Sequence, residues 1–483
     1  MLIKTYNKKM QNEISIKLNK DNPFELTLIK IGEIIKGTKW ENNVFAVGGC
    51  VRDKLMGKPI KDIDLVITYP NGGIEFANWI CKETYCYKLD SNPCVFPKYG
   101  TAKFNIRSIE EIERIDIECV QTRKEQYKDE NSRNPETVYG NIIEDSFRRD
   151  LTINALYLNL STMTVWDVTE KGLDDLKNQI IRTPSDPDIT FQDDPLRLLR
   201  VIRFASRFNW GIEKDTWLGM VKNAYRIDII SKERIKDELC KMMECEIPSV
   251  AIKRLDACGL LDKILPEICR LKGVKQDIQH FGDVYEHTLA TLDKTLPVAI
   301  YRLAALFHDC GKPFTKSLKN NKIHFYNHEN VSGAIASVAL TNLKFSKSDI
   351  KQIVTAIKEH MRLKQFGDKC PPKKSLRKLI AQIDENYLDI VLNLIHADNC
   401  SHSKEYCMPN QIPLVIEEIK HLNDDEIQKI SLPINGSDIM KQFSFKPSPI
   451  VGECLKWAEE LYFEKPEATK EEYFEFIKSK LTV

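Results

Sequence analysis

"FAVGGCVRDKLMGKPIKDIDLVIT", residues 45–68, sets an apolar run against a glycine pair, then a charged Val-Arg-Asp, then two carboxylates one residue apart, Asp62 and Asp64. Residues i and i+2 of a strand face the same side, about 7 Å apart along the chain. Two like charges so placed repel, which calls for a cation between them or a raised pKa. The turn at Gly48 and Gly49 lets the backbone approach a phosphate, with a helix opening at the glycines. A Gly-Gly turn or a D-x-D is common by itself; the two in this order are much more specific.

Outward from this stretch, 483 residues exceed one comfortable core and predict three or four domains. No run approaches the roughly 18 apolar residues of a membrane helix. The start, "MLIKTYNKKM", lacks the apolar core of a secretory signal, so an intracellular, cytoplasmic protein with no membrane partner is expected. Fourteen cysteines without a C-x-x-C pair read as reduced thiols. The net charge of +1 argues weakly against a general nucleic-acid binder, but Arg197–Lys236 carries a marked local excess of Lys and Arg.

Strand-like runs ("NVFAVGG", "DIDLVIT", "ERIDIECV", "NALYLNL", "MTVWDV") alternate with helical stretches across residues 26–160, which predicts an α+β segment around a sheet. From "DDPLRLLRVIRFASRF" onward the spacing is helical, with little strand signal. Breaks fall at residues 182–194, 368–375 and 431–439, where Pro, Gly and Asp gather. On a helix, Asp194 and Arg197 share a face that Arg200 and Arg203 extend, while Leu196, Leu199 and Ile202 form an apolar one. An ordinary amphipathic helix with Pro195 in its first turn explains the start cheaply and the arginine stripe poorly.

The order G-G-x-V-R-D then D-x-D resembles the nucleotidyltransferase superfamily that includes DNA polymerase β. Within it, the chain is most similar to the class II tRNA nucleotidyltransferases (CCA-adding enzymes) and the bacterial poly(A) polymerases. The resemblance implies a polymerase-β-like head of mixed sheet and helices, followed by an all-α neck, further helical domain and tail. It also implies two Mg²⁺ held by Asp62 and Asp64, an attacking RNA 3′-hydroxyl and departing pyrophosphate. A third carboxylate is expected on a later strand: in "RIDIECVQTR" both Asp116 and Glu118 share a face, and Glu118 fits the family's E-x-x-x-x-R. Gly48, Gly49, Arg52 and Asp53 would face the nucleotide. In "SFRRDLTINAL", Arg149 would bind the triphosphate and Asp150 the ribose 2′-hydroxyl. "VWDVTEKGLDDL", with Asp167 and Gly172, resembles the segment that hinges head to neck.

In the family, E-D-x-x-R imitates a Watson–Crick partner: Asp accepts from the amine that C and A share, and Arg donates to ring acceptors. Here Asp193 replaces the Glu, and Asp194 and Arg197 remain to select CTP and ATP. Arg200 is grouped with the nucleotide-binding residues, and Arg203 would serve the triphosphate or the framework. Glu233 and Arg234 of "SKERIKDEL" would be structural.

A second constellation is His287, then the adjacent His308 and Asp309 in "ALFHDCGKP", then His328, His360 and Asp398. A lone helical histidine is usually core, but this set suits a divalent transition metal. It resembles the HD phosphohydrolase domain, in which His287, His308, Asp309 and Asp398 would hold one metal and His328 and His360 a second.

The expected domains are an extension at 1–25, short-helical or disordered; the nucleotidyltransferase head at 26–160; a helical neck and tRNA-binding region at 161–269; the HD domain at 270–402; and a helical tail at 403–483. In the family the tail packs along the tRNA acceptor and T stems. Three functional readings follow: a CCA-adding enzyme; a poly(A) polymerase or a CC- or A-adding specialist; and an HD phosphohydrolase with an RNA-binding head. Intact Asp62 and Asp64 count against the third. The acidic-mixed ending, without a long basic tail, favours CCA addition over poly(A) synthesis. The oligomeric state is not legible.

Overall fold

The computed structural model describes residues 13–83, 87–89, 92–97, 100–108, 114–126, 136–277, 282–320, 322–421, 432–465 and 467–481. Two compact units divide between Ile264 and Leu265.

The first unit is built on a mixed nine-stranded sheet. Its strands are β1 (Glu13–Ser15), β2 (Val44–Val47), β3 (Ile63–Ile67), β4 (Tyr87–Leu89), β5 (Cys94–Phe96), β6 (Thr101–Ser108), β7 (Arg114–Gln121), β10 (Leu156–Asn159) and β11 (Thr164–Asp167). The order is β1-β11-β10-β2-β3-β7-β6-β4, with β5 on β6, while β8 (Arg123–Gln126) pairs with β9 (Glu136–Tyr139) apart from it. Among the described residues, β3 and β7 are the one parallel pair within the large sheet and the other pairs are antiparallel. The five strand-like runs of the sequence correspond to β2, β3, β7, β10 and β11. The expected N-terminal extension differs: residues 13–15 pair with β11, because their alternation offers an edge strand a partner. Residues 1–12 lie outside the described residues.

Alternation along β3 and β7 sorts the side chains. Ile63, Leu65, Ile67, Ile115, Ile117 and Cys119 enter a large core shared with α1 (Pro23–Ile34) and α3 (Gly72–Glu83). Val66 and Val120 turn to the opposite face, where they meet Phe45, Val47 and Tyr157. Asp64 and Glu118, two residues earlier on their strands, share that second face. Between β2 and β3, Gly48 has φ 77° and α2 runs Gly49–Leu55, as the glycine pair predicts.

After β11, Asp167 accepts from Leu173 N and Thr169 Oγ1, which anchors α5 (Gly172–Asn178). A Cβ on Gly172 would stand 2.7 Å from Thr152 O, so the close approach requires glycine. Helix α4 is Ile142–Phe147, α6 is Pro187–Asp193 and α7 is Leu196–Phe208. Asp194 corrects the helical reading: it lies in extended backbone between α6 and α7, since Pro195 cannot donate a helical hydrogen bond and disfavours an α conformation before it. Arg197, Arg200 and Arg203 do follow one another on α7, and Leu196, Leu199 and Ile202 are buried. Helices α8 (Lys214–Asn223), α9 (Lys232–Met243) and α10 (Pro248–Ala257) complete the unit, with a two-residue parallel bridge between β12 (Ile180–Ile181) and β13 (Gly211–Ile212).

The second unit is mainly helical: α11 (Val284–Lys294), α12 (Ala299–Phe307), α13 (His328–Asn342), α14 (Lys347–Glu359), α15 (Lys373–Gln382), α16 (Glu385–Asn399) and α17 (Gln411–His421). The pair α18 (Gly436–Phe443) and α19 (Pro449–Glu464) closes with α20 (Lys470–Leu481) around a core of Ile439, Cys454, Ala458, Tyr473 and Ile477. One feature escapes helical periodicity: an antiparallel hairpin of β14 (Lys316–Lys319) and β15 (Lys322–Phe325), whose strands are four residues each and whose alternation, Ile323 and Phe325, is too brief to stand out from the helical pattern.

Asp145, on α4, is fully buried and binds Arg148 Nη2 at 2.6 Å, Arg149 Nη2 at 3.0 Å and Tyr157 Oη at 2.7 Å. Burial opposes its charge, but Arg149 and Arg148 hold its carboxyl well below the ordinary value of 3.8. Its stabilisation is therefore complete at neutral pH and is lost as pH falls below the ordinary carboxylate range. Asp145→Asn is expected to lower unfolding free energy by about 3–5 kcal/mol at pH 7, read by urea denaturation, because it strands two arginines.

Candidate active site and a buried histidine–aspartate cluster

The register across the sheet assembles the carboxylates. Asp64 stands opposite Glu118 on β7, and Glu118 stands opposite Lys103 on β6. Asp62 immediately precedes β3, and Asp62, Asp64, Asp116 and Glu118 line one cavity of about 390 Å³. Burial first, then Asp62 and Glu118, push Asp64 up to about 6. This is the repulsion that the D-x-D spacing foretold, and it makes the cluster a fit host for a divalent cation. Asp116 is ion-paired to Arg114 at 3.1 Å and is exposed, whereas Glu118 is half-buried beside Asp64, which favours Glu118 as the third ligand.

A second cavity, of about 270 Å³, shares Asp62 and Asp64 and adds Gly48, Gly49, Arg52, Asp53, Arg149, Asp150, Arg200 and Arg203. Buried acids hold its cations in place. Arg52 binds Asp53 at 2.7 Å and Asn154 Oδ1 at 2.6 Å. Asp145 and Tyr157 fix Arg149. Asp150 takes Arg200 Nη2 at 2.6 Å and Asn154 Nδ2 at 3.1 Å. Although burial opposes it, Arg200 and Asn154 hold Asp150 down at about 2. Arg203 reaches Glu238 on α9 at 2.6 Å. The sequence reading missed Asn154, Arg207, Phe204, Lys103 and Glu238; only Phe204 and Arg207, on the arginine helix itself, carried a signal.

Asp194 and Arg197 are held by different anchors. Asp194 Oδ1 accepts from Leu196 N at 3.1 Å, and its Oδ2 binds Arg234 at 2.8 Å. Arg197 is buried and donates through Nη1 to Thr190 O at 3.2 Å.

The second unit brings all six of its expected ligands together. His287 Nε2 is 3.0 Å from Asp398 Oδ1, His308 Nε2 is 3.2 Å from Asp309 Oδ2, and His328 Nε2 is 3.3 Å from both Asp309 Oδ1 and His360 Nε2. All are buried; five of them form two overlapping groups, His287–His308–Asp398 and His308–Asp309–His360, and His328 stands beside the second. Burial, with His308 and His328 alongside, holds His360 well below its ordinary pKa, so it is a neutral donor. His308, His328 and His360 each point Nδ1 at a backbone carbonyl 2.6–2.8 Å away, which turns Nε2 toward the cluster. The sequence reading missed two cations here: Lys312 Nζ lies 2.8 Å from Asp309 and Lys364 Nζ 2.6 Å from Asp398. They line, with Lys322, His324 and His402, a cavity of about 520 Å³.

Three family models match the chain: a poly A polymerase head domain over residues 44–182, an RNA and SrmB-binding site of polymerase A over 209–271, and tRNA nucleotidyltransferase domain 2 over 324–476. The tRNA nucleotidyltransferase cca1 of Schizosaccharomyces pombe is 28% identical, with 94% of each chain covered. The CC-adding tRNA nucleotidyltransferase of Thermus thermophilus is 27% identical over 90% of this chain and 93% of its own. The crystal structure of the Bacillus stearothermophilus CCA-adding enzyme in complex with CTP superposes with a TM-score of 0.63 at 19% identity, covering 95% of this chain and 98% of its own; that likeness speaks to the fold.

A divalent cation at Asp62, Asp64 and Glu118 must displace the proton that Asp64 carries below about pH 6. Mn²⁺ titration calorimetry is therefore expected to show affinity at this site falling by up to about tenfold per pH unit below 6, and the pH-dependent component should be missing in Asp64→Asn.

Proposed function

The chain belongs to the poly(A) polymerase and tRNA nucleotidyltransferase family, and from that premise and the geometry of the head we infer that it adds the 3′-terminal CCA to tRNA from CTP and ATP without a nucleic-acid template. The observation that carries this reading is the convergence of Asp62, Asp64 and Glu118 with an arginine-walled cavity that shares two of those carboxylates. Asp62 and Asp64, with Glu118 beside them, would hold two Mg²⁺, which when bound neutralise phosphoryl oxygens and acidify the RNA 3′-hydroxyl. Arg149 and Arg203 face the triphosphate, each fixed by a buried acid so that little reorganisation accompanies phosphoryl transfer. Arg52, held by Asp53 and Asn154, lines the phosphate cavity beside the glycine turn, and Asp150 presents its carboxylate to the ribose. Arg200 fixes Asp150.

Base choice falls to Asp194 and Arg197. Arg234 clamps the first and the carbonyl of Thr190 the second, so the donor and acceptor edges are set before a nucleotide arrives. tRNA binds through its acceptor and T stems, in a cytoplasmic setting. Among the described residues no helix is long and apolar enough to cross a membrane.

The test is tRNA lacking its CCA, incubated with Mg²⁺ and each nucleotide singly and in pairs, with product length read on a gel. Two residues added from CTP and a third from ATP are expected. A stop after CC, addition of A only, or a long A tail would replace this reading by a specialist or a poly(A) polymerase. In the same assay Arg197→Ala should lower kcat/KM for CTP and ATP by about tenfold or more and relax rejection of UTP and GTP, as loss of a charged hydrogen bond requires.

The cluster of the second unit supports a second activity. His287, His308, Asp309 and Asp398, whose ligand atoms lie 3.0–4.0 Å apart in successive pairs, would hold a divalent transition metal, with His328 and His360, 3.3 Å apart, able to host another, and the set suits metal-dependent phosphohydrolysis. Buried His308, Asp309 and Asp398 all carry polar atoms with ion-pair contacts but no well-directed hydrogen bond, as expected of ligands. The double variant His308→Ala, Asp309→Ala should lose stoichiometric metal by elemental analysis and still add CCA. Equal metal content in the variant, or lost addition in a folded variant, would refute it.

A further inference from the structure

We propose that Lys103 positions the RNA 3′ end by binding its last phosphodiester on the Glu118 side of the carboxylates. The inference rests on the nucleotidyltransferase reading of the head. In phosphoryl transfer the attacking and leaving oxygens lie in line on opposite sides of phosphorus. Asp62 and Asp64 are shared by two cavities, so they mark the place where phosphorus sits. One cavity carries Arg52, Arg149, Arg200, Arg203, Arg207 and Lys61, and matches a triphosphate and departing pyrophosphate. The attacking hydroxyl therefore enters through the other, whose cations are Lys103 and Arg114.

Of these two, Arg114 is engaged with Asp116 at 3.1 Å. Lys103 completes the line of carboxylates. Directly opposite residues on adjacent strands have Cβ atoms about 4.5–5.5 Å apart. The row Asp64, Glu118, Lys103 thus runs across β3, β7 and β6, and Lys103 Nζ reaches Glu118 Oε2 at 2.7 Å. The Lys103 side chain is 56% exposed, so its ammonium sits at the cavity mouth. An ammonium has three donors. One engages Glu118, and with the side chain more than half exposed a phosphate oxygen can take another. Such a contact carries register and no base identity, which suits tRNAs of differing sequence before the CCA. On the neighbouring β5, Cys94 pairs with Lys103 and Phe96 with Thr101, which puts the exposed Phe96 ring on the same face, where a terminal base can stack.

A half-exposed Lys–Glu pair with only a structural role would contribute little when removed. The experiment separates the two roles with the full-length protein and tRNA ending just before the CCA, made either unmodified or with a neutral methylphosphonate at its last linkage or at one several nucleotides away. For the wild type, neutralising the last linkage should lower kcat/KM for tRNA and tRNA affinity by roughly tenfold, and the distant one should not. Lys103→Met should show the same loss on unmodified tRNA, with KM for CTP within about twofold, and no further loss on the modified tRNA; Lys103→Arg should recover most of it. Additive losses, a wild type indifferent to the last linkage, or a defect confined to KM for CTP would overturn the proposal. If Lys103→Met fails to fold, Lys103→Gln takes its place, and a wild type indifferent to the last linkage overturns the proposal by itself. A wild type that extends no tRNA at all would instead overturn the functional reading.

Discussion

Asp150 and Arg200, 2.6 Å apart with Asp150 buried and Arg200 mostly so, join the segment between α4 and β10 to the helix that carries the remaining arginines. A buried guanidinium without a partner is costly, and so is a buried carboxylate. The head meets this cost repeatedly. Asp53 serves Arg52, Asp145 serves Arg148 and Arg149, and Glu238 serves Arg203. Arg52, Arg149, Arg200 and Arg203 are thereby held at the edge of a cavity whose other wall is Asp62 and Asp64. Preorganised charge of this kind is what phosphoryl transfer demands, since there is little covalent chemistry for the protein to perform.

The carboxylates depend on a second constraint, strand register. The parallel pairing of β3 with β7 and the antiparallel pairing of β7 with β6 place Asp64, Glu118 and Lys103 in one row. A slip by one residue would send Glu118 into the apolar core and Ile117 into the cleft. The large core of Ile63, Leu65, Ile117 and Cys119 resists that slip, so packing on one face of the sheet secures chemistry on the other. The cluster in the second unit obeys a different rule. Its ligands come from α11, α13 and α16 and from the residues that follow α12 and α14, and backbone carbonyls at Nδ1 orient three of its imidazoles.

Much of this was legible from local spacing. The D-x-D after a glycine turn, the alternation in "RIDIECV", the arginines of α7 and the adjacent His308–Asp309 are short-range patterns whose chemistry follows from residue type. Asp194 was misread because a helical wheel ignores what Pro195 does to the residue before it. The β14–β15 hairpin was missed because its strands are four residues each and only Ile323 and Phe325 alternate.

The sequence by itself determined which residues could do chemistry and the α+β head followed by helices, because strand and helix periodicity and short motifs are local properties. Tertiary structure alone decided the partners: Lys103 for Glu118, Glu238 for Arg203, Arg234 for Asp194, and Lys364 for Asp398 of the histidine cluster. Most of those contacts join elements distant in the chain. Sheet register and helix packing create them, and neither is written in the spacing of either residue.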